Sequence, residues 1–224
     1  MHCMKRLAAI VAVGLAWPCP AFAQSPSQPS VTTTYPQNQV GVVAAVKGSV
    51  EVTSPGAVGR IVDSGQPIFI GDAVKTGPQG RLQILLFDET IFTIGPDSAI
   101  VIDEFVYDPS TDAGKVSAEI LKGVFRFVTG KVAHKKPENM KVKLPAGTIG
   151  VRGTIVAGRV DGQRSSVTLI GPGSVVVSNM VNNAVQEVSV SRIGFGTVIA
   201  GPEAPPTPPS FVPPAQLAEL MSAF

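Results

Sequence analysis

From Val40 to Ile199 the apolar residues come in short runs rich in valine and isoleucine. Glycine, proline, aspartate or serine cuts these runs at roughly the eight-to-twelve-residue spacing of strands in a sandwich or barrel. Within Arg81-Leu82-Gln83-Ile84 and Thr90-Ile91-Phe92-Thr93-Ile94, apolar and polar positions alternate, so each strand turns one face to a core and one to water. The pattern predicts strands over 40–46, 49–53, 81–86, 90–94, 99–102, 124–128, 154–160, 165–170, 174–178 and 187–190. Residues 116–121 fit a short helix as well as a strand. No helical period longer than about two turns occurs before the C-terminus, and the predicted fold is all-β, a sandwich or barrel of stacked antiparallel sheets.

The ends read differently. Residues 24–39 are mostly Ser, Pro, Gln and Thr with almost no apolar anchors, the composition of a disordered linker. After Ile199 the chain becomes Gly201-Pro202-Glu203-Ala204-Pro205-Pro206-Thr207-Pro208-Pro209, which favours an extended conformation and is excluded from a sheet interior. Pro213-Pro214 then stands before Ala215-Gln216-Leu217-Ala218-Glu219-Leu220-Met221, where a proline start and good helix formers predict a short helix. Four segments result: 1–23, 24–39, a β domain over 40–200, and a Pro-rich tail with a helix over 201–224.

The first segment predicts export. Lys5 and Arg6 precede an apolar run from Leu7 to Trp17, and Ala21-Phe22-Ala23 has the small-x-small pattern of a signal-peptidase site, so cleavage near Ala23 is expected. The run is shorter than the roughly 20 apolar residues of a membrane span. Both cysteines, Cys3 and Cys19, lie in this segment, so the expected mature chain has no thiol and depends on its apolar core. Removing Lys5 and Arg6 from 18 basic residues leaves 16 against 16 acidic ones, which takes away a global charge argument for binding nucleic acid.

One ordered string of residues stands out in the β domain. It runs from Gly71-Asp72 through Thr76-Gly77, Asp88-Glu89-Thr90 and Gly95-Pro96-Asp97-Ser98 to Leu121-Lys122-Gly123-Val124-Phe125-Arg126, and closes on Gly150-Val151-Arg152-Gly153-Thr154. Its order and spacing resemble the FecR family over about 40–154, with a weaker continuation toward Val198. Two departures occur. Asp88-Glu89 stands where the family has Asp-Gly, which predicts a hairpin turn one residue longer or strained, and Leu144-Pro145 replaces a Thr-Pro.

In physical terms the glycines supply positive φ or close approach, and Asp72 and Asp97 can close their own turns. Arg126 and Arg152 are expected to be structural forks bonding loop carbonyls or a carboxylate. A short echo, Gly48-Ser49-Val50-Glu51-Val52 and Gly173-Ser174-Val175-Val176-Val177, suggests related elements in two layers.

Catalytic chemistry lacks its parts. Of the two histidines only His134 lies beyond the leader, and there is no Gly-x-Ser-x-Gly elbow. Asp108, Ser110, Asp112 and Glu119 approach the spacing of a calcium loop, but Gly114 comes one place late and no helix pair flanks it, so a plain turn is expected. No metal, cofactor or catalytic residue is predicted.

Charge is segregated along the chain: acids crowd 83–121 and bases 122–164. Pairing across a sheet would neutralise both. Otherwise Lys131, Lys135, Lys136, Lys141 and Lys143 could hold an anionic polymer or lipid. Beyond Arg164 the strands are nearly uncharged and suit contact with another protein.

The resemblance implies a secreted or periplasmic, non-catalytic module that binds or relays a signal through an envelope protein, a receptor or membrane sensor. The alternative is a structural envelope protein binding anionic polymer or lipid. The regulators it resembles pass a signal to a cytoplasmic sigma factor through a membrane helix, and no such helix is predicted here.

Overall fold

The computed structural model of the chain describes residues 38–224. The expected export signal and nearly all of the expected linker lie outside the described residues. The strands are β1 (Gln39–Lys47), β2 (Val50–Thr53), β3 (Arg60–Ile61), β4 (Pro67–Phe69), β5 (Ala73–Thr76), β6 (Arg81–Leu86), β7 (Ile91–Ile94), β8 (Ala99–Asp108) and β9 (Ala113–Val128). A short helix α1 (Lys131–Lys135) follows, then β10 (Met140–Leu144), β11 (Gly147–Arg152), β12 (Ile155–Asp161), β13 (Arg164–Leu169), β14 (Ser174–Val181), β15 (Ala184–Val190), β16 (Phe195–Ile199), β17 (Ser210–Phe211) and helix α2 (Pro214–Ser222).

Two sheets face each other across one core, as the all-β pattern predicts. Sheet A runs β4-β1-β6-β7-β9-β12-β13-β16-β17. Sheet B runs β3-β2-β5-β8-β9-β10-β11-β14-β15. Strand β9 belongs to both. Its first part pairs with β8 in sheet B, and beyond Gly123 it pairs with β7 and β12 in sheet A. Gly123 makes the crossing possible: its φ is +90°, and a Cβ there would lie among the backbone and side-chain atoms of Ser98.

Residues 116–121 are thus strand, inside a 16-residue β9 that sequence pattern splits in two. The antiparallel expectation has one exception, β10, which runs parallel to β9 because α1 carries the chain back to the start of sheet B. Strands β5, β10, β11 and β16, with the short β3, β4 and β17, fall in stretches to which the sequence pattern assigns no strand. Glycine-bearing strands such as Gly147–Arg152 look like loops in one dimension.

Strands pass between the sheets along two rims. At the first rim β1 turns into β2 at Gly48-Ser49, β5 into β6 at Gly77–Gly80, and β7 into β8 at Gly95–Ser98, beside the β9 crossing. At the second rim, by the far end of β9, β11 turns into β12 at Gly153-Thr154 and β13 into β14 at Ile170–Gly173. The two halves of the Gly-Ser-Val echo are therefore sheet-to-sheet crossings on opposite rims.

Phe92, Phe125 and Phe127 fill the middle, the Phe127 ring centroid lying 5.8 Å from that of Phe92 and 6.3 Å from that of Phe125, and aliphatic residues from both sheets close around them. The predicted C-terminal helix forms and docks on the outer face of sheet A. There Leu220 packs against Val124 and Ala157, and the Arg81 Nε donates to the Ala223 carbonyl at 2.8 Å. The Pro-rich stretch is fixed by Asn179, whose Nδ2 reaches the carbonyls of Pro202 and Ala204, each at 2.8 Å.

Candidate functional site

The string of family-like residues folds into hydrogen-bonded ladders along the rims. At the first rim the Thr76 hydroxyl donates to the Gly95 carbonyl at 2.7 Å and accepts the Ser98 N–H at 2.9 Å. The Ser98 Oγ accepts the Val124 N–H at 2.8 Å, and the Gly77 N–H donates to the Ser49 carbonyl at 2.9 Å. Each hydroxyl stands in for a backbone partner where strands leave one sheet for the other.

The second rim is built alike. Asp88 accepts both the N–H and the hydroxyl of Thr90, and the Thr90 Oγ1 accepts the Gly130 N–H at 3.0 Å. Thr129 and Thr154 bond each other reciprocally, and the Thr154 hydroxyl reaches the Gly171 carbonyl at 3.2 Å. Asp72 is fully buried and accepts from the Ser54 hydroxyl at 2.6 Å and the Phe69 N–H at 3.0 Å. Asp72, Thr76, Asp88, Ser98 and Thr154 are all buried and occupied internally.

The turn after Asp88 shows both effects expected from the missing glycine. Its loop is three residues, Phe87-Asp88-Glu89, and Glu89 takes φ of +69°. Burial raises the Asp88 carboxyl above the ordinary carboxylate range, against the hydrogen bonds from Thr90.

The two arginines differ from the fork expected of them. Arg126 projects from the outer face of β9 with its Nε buried and unbonded. The Arg152 side chain is exposed at the end of β11 and makes no hydrogen bond or ion pair with a described residue. Gly150 lies beside it in β11, and Gly153, with φ of +54°, turns the chain into β12.

The five lysines divide. Lys131 on α1 pairs with Glu89 at 2.7 Å, and Lys143 on β10 pairs with Asp103. Partial burial raises the Asp103 carboxyl, the Lys143 bond and charge lower it more, and the net direction is down. Both contacts join the basic stretch to the acidic one, the neutralising arrangement anticipated from charge segregation. Lys135, Lys136 and Lys141 have no such partner among the described residues. They lie on or beside α1 and on β10.

Asp108 spends its carboxylate on its own turn. One oxygen accepts from the Ser110 N–H and hydroxyl and the other from the Thr111 hydroxyl, while Asp112 accepts from the Tyr107 phenol at 2.8 Å. Among the described residues no group of three or more His, Cys, Asp or Glu is placed to hold a metal ion. None of their helices is long and apolar enough to cross a membrane.

One edge of sheet B is open along a full strand. Strand β15 pairs with β14 on one side only, and its register is fixed by Asn182 and Asn183, both at positive φ in a two-residue turn. Its seven residues, Ala-Val-Gln-Glu-Val-Ser-Val, contain no lysine, arginine or proline. Met180 and Val185, cross-strand partners on the outer face, are 57% and 61% exposed. The matching edge of sheet A ends in β17, where Pro208-Pro209 and Pro213-Pro214 interrupt the donors another strand would need. Sequence reading flags the low charge beyond Arg164, whereas the contrast between the two edges requires the topology.

The FecR protein family model matches residues 72–175. The chain carries a FecR domain. The matched stretch runs from the start of β5 into β14, and β1–β4 extend the same two sheets on one side while β15–β17 extend them on the other. No curated protein matches the chain.

Among solved structures, a cell surface anchoring domain is 38% identical, over 29% of this chain and 84% of that one, with a TM-score of 0.28. Two crystal structures of a "putative anti-sigma factor" from Parabacteroides distasonis are 11% and 12% identical over 66% of this chain, with TM-scores of 0.48 and 0.47. This chain spans 63% and 64% of those two, less than two thirds of their length.

Proposed function

We propose that the chain is a non-catalytic FecR relay module of the cell envelope, exported and released by cleavage near Ala23, that works by offering the edge of sheet B to a strand of a protein partner. The carrying observation is β15: seven residues, unpaired on one side, without the lysine, arginine or proline that guard an edge and with Glu187 as the one charge, carrying Val185 of the exposed Met180–Val185 pair. The family match supports relay, and the internal use of the motif residues supports a scaffold that holds a docking strand in place. Main-chain hydrogen bonds would give affinity, and the outward side chains of β15 would select the partner.

Site-specific photocrosslinking in producing cells tests this, with probes at Gln186 on β15 and at Lys141 on the basic face. The expected result is a discrete protein adduct at Gln186 that persists near 1 M salt, where screening acts within about 3 Å, and that vanishes when Val188→Pro breaks the edge. The opposing reading, an anionic polymer or lipid held by Lys135, Lys136 and Lys141, predicts salt-sensitive capture at Lys141 and none at Gln186. That outcome would discard the relay proposal. Intact mass of periplasmic protein tests export: a chain beginning at Gln24 is expected, and recovery of only the Met1 form in the cytoplasm contradicts it.

A further inference from the structure

A groove of about 400 Å³ lies on the outer face of sheet A, between the β12–β13 hairpin, β17 and helix α2. Its size falls in the range of small-ligand clefts, roughly 300–1,000 Å³. It is separate from both β15 and the lysines.

The charged residues of its lining are Arg159, Arg164 and Glu219. Arg159 faces Ser166 across the hairpin, and Arg164 stands two places from Ser166, so the two cations are diagonal neighbours on one face, about 7–8 Å apart at Cα. Only Arg159 has a carboxylate partner, and the pair is weak: Glu219 meets Arg159 at 3.4 Å, with the side chains 71% and 46% exposed, while Arg164, registered opposite Asp161 in the hairpin, makes no ion pair with a described residue.

The polar groups around them are also unspent. The Arg164 guanidinium, the Thr168 hydroxyl and the Gln216 amide line the groove, and each lacks a hydrogen-bond partner among the described residues. At the rim Phe211 is 59% exposed, braced edge-on by Phe195 with ring centroids 5.9 Å apart. A ring held upright beside a polar cleft presents a negative π face to weakly positive C–H groups.

We infer that this groove binds an acidic sugar unit of an envelope polysaccharide, with Arg164 and Arg159 on the sugar carboxylate and Phe211 against the ring. The chemistry selects that class. Two arginines form a planar, bidentate match to a carboxylate. Thr168 and Gln216 supply the hydroxyl partners that a sugar needs and a simple anion does not, and Phe211 supplies a stacking face. On binding, Glu219 releases Arg159, a small loss for so exposed a pair.

Calorimetric titration of the full chain tests this with three probes: trigalacturonate, neutral maltotriose and citrate. Trigalacturonate should bind, with both other probes at least about tenfold weaker. Arg164→Ala and Phe211→Ala should each weaken trigalacturonate at least about tenfold at unchanged melting temperature, since both side chains are exposed, and Glu219→Gln should strengthen it. Equal affinity for maltotriose would make the site neutral, and equal affinity for citrate would make it a bare anion site. Either result overturns the assignment, as do absence of trigalacturonate binding and wild-type affinity in either alanine variant.

Discussion

The Oγ of Ser98 accepts the N–H of Val124 at 2.8 Å and donates to the Pro96 carbonyl, also at 2.8 Å, so one hydroxyl ties the entry of β8 to the place where β9 changes sheets. Ser98→Ala leaves the Val124 N–H buried without that partner. The expected loss is about 1–3 kcal/mol, read as a lower denaturant midpoint at unchanged slope. Gly123→Ala should cost more, because the new methyl meets Ser98 while φ remains unfavourable. A midpoint equal to wild type for Ser98→Ala would remove the ladder from the account of stability.

Asp88 makes stability depend on pH in a specific direction. Its carboxyl is raised in the folded state, chiefly by burial, so the native protein holds that proton more tightly than the unfolded chain. Its contribution is fully present below the ordinary carboxylate value and is lost as pH climbs through the raised one. Asp103 is lowered and acts with the opposite sign, so the informative quantity is wild type compared with Asp88→Asn. Across that window wild type should lose stability relative to the variant. Parallel stability curves for the two proteins would refute this.

Arg152 is expected to matter little for folding. It is exposed and unbonded, so Arg152→Ala should change stability by no more than about 0.5 kcal/mol. A thermal melt decides, and a drop of several degrees would restore the fork that its family-like position suggests.

Leu220 anchors α2. It is 9% exposed against Val124 and Ala157, and Leu220→Ala should cost about 2 kcal/mol. It should also speed proteolytic cleavage within 201–213, because the tail is held at both ends. Unchanged cleavage would mean that Arg81 and Asn179 suffice to hold it.

The strands with clean alternation were legible before the structure. Arg81–Leu86 is a strand to the residue, and the 90–94 prediction differs from β7 by one position. Strands carrying glycine were not, because glycine in Gly147–Arg152 signals close approach of neighbouring chain as readily as a turn: a Cβ on Gly147 would lie 2.4 Å from the Ser178 carbonyl oxygen. The rim ladders were half legible. Asp72, Asp88, Ser98 and Thr154 could be picked out in order, but that Ser98 bonds Val124 and Thr154 bonds Thr129, far away in sequence, follows only from two-sheet topology. The groove was invisible, since Arg159, Phe211 and Gln216 come together only when the tail folds back over sheet A.

Because β9 runs unbroken from one sheet into the other, the two layers share a covalent girder. A pull at the β15 margin passes through β14, β11 and β10 into the β9 main chain, and from there directly into sheet A. A continuous backbone is stiffer under such a load than side-chain packing alone, which would favour carrying a displacement from one face toward the other.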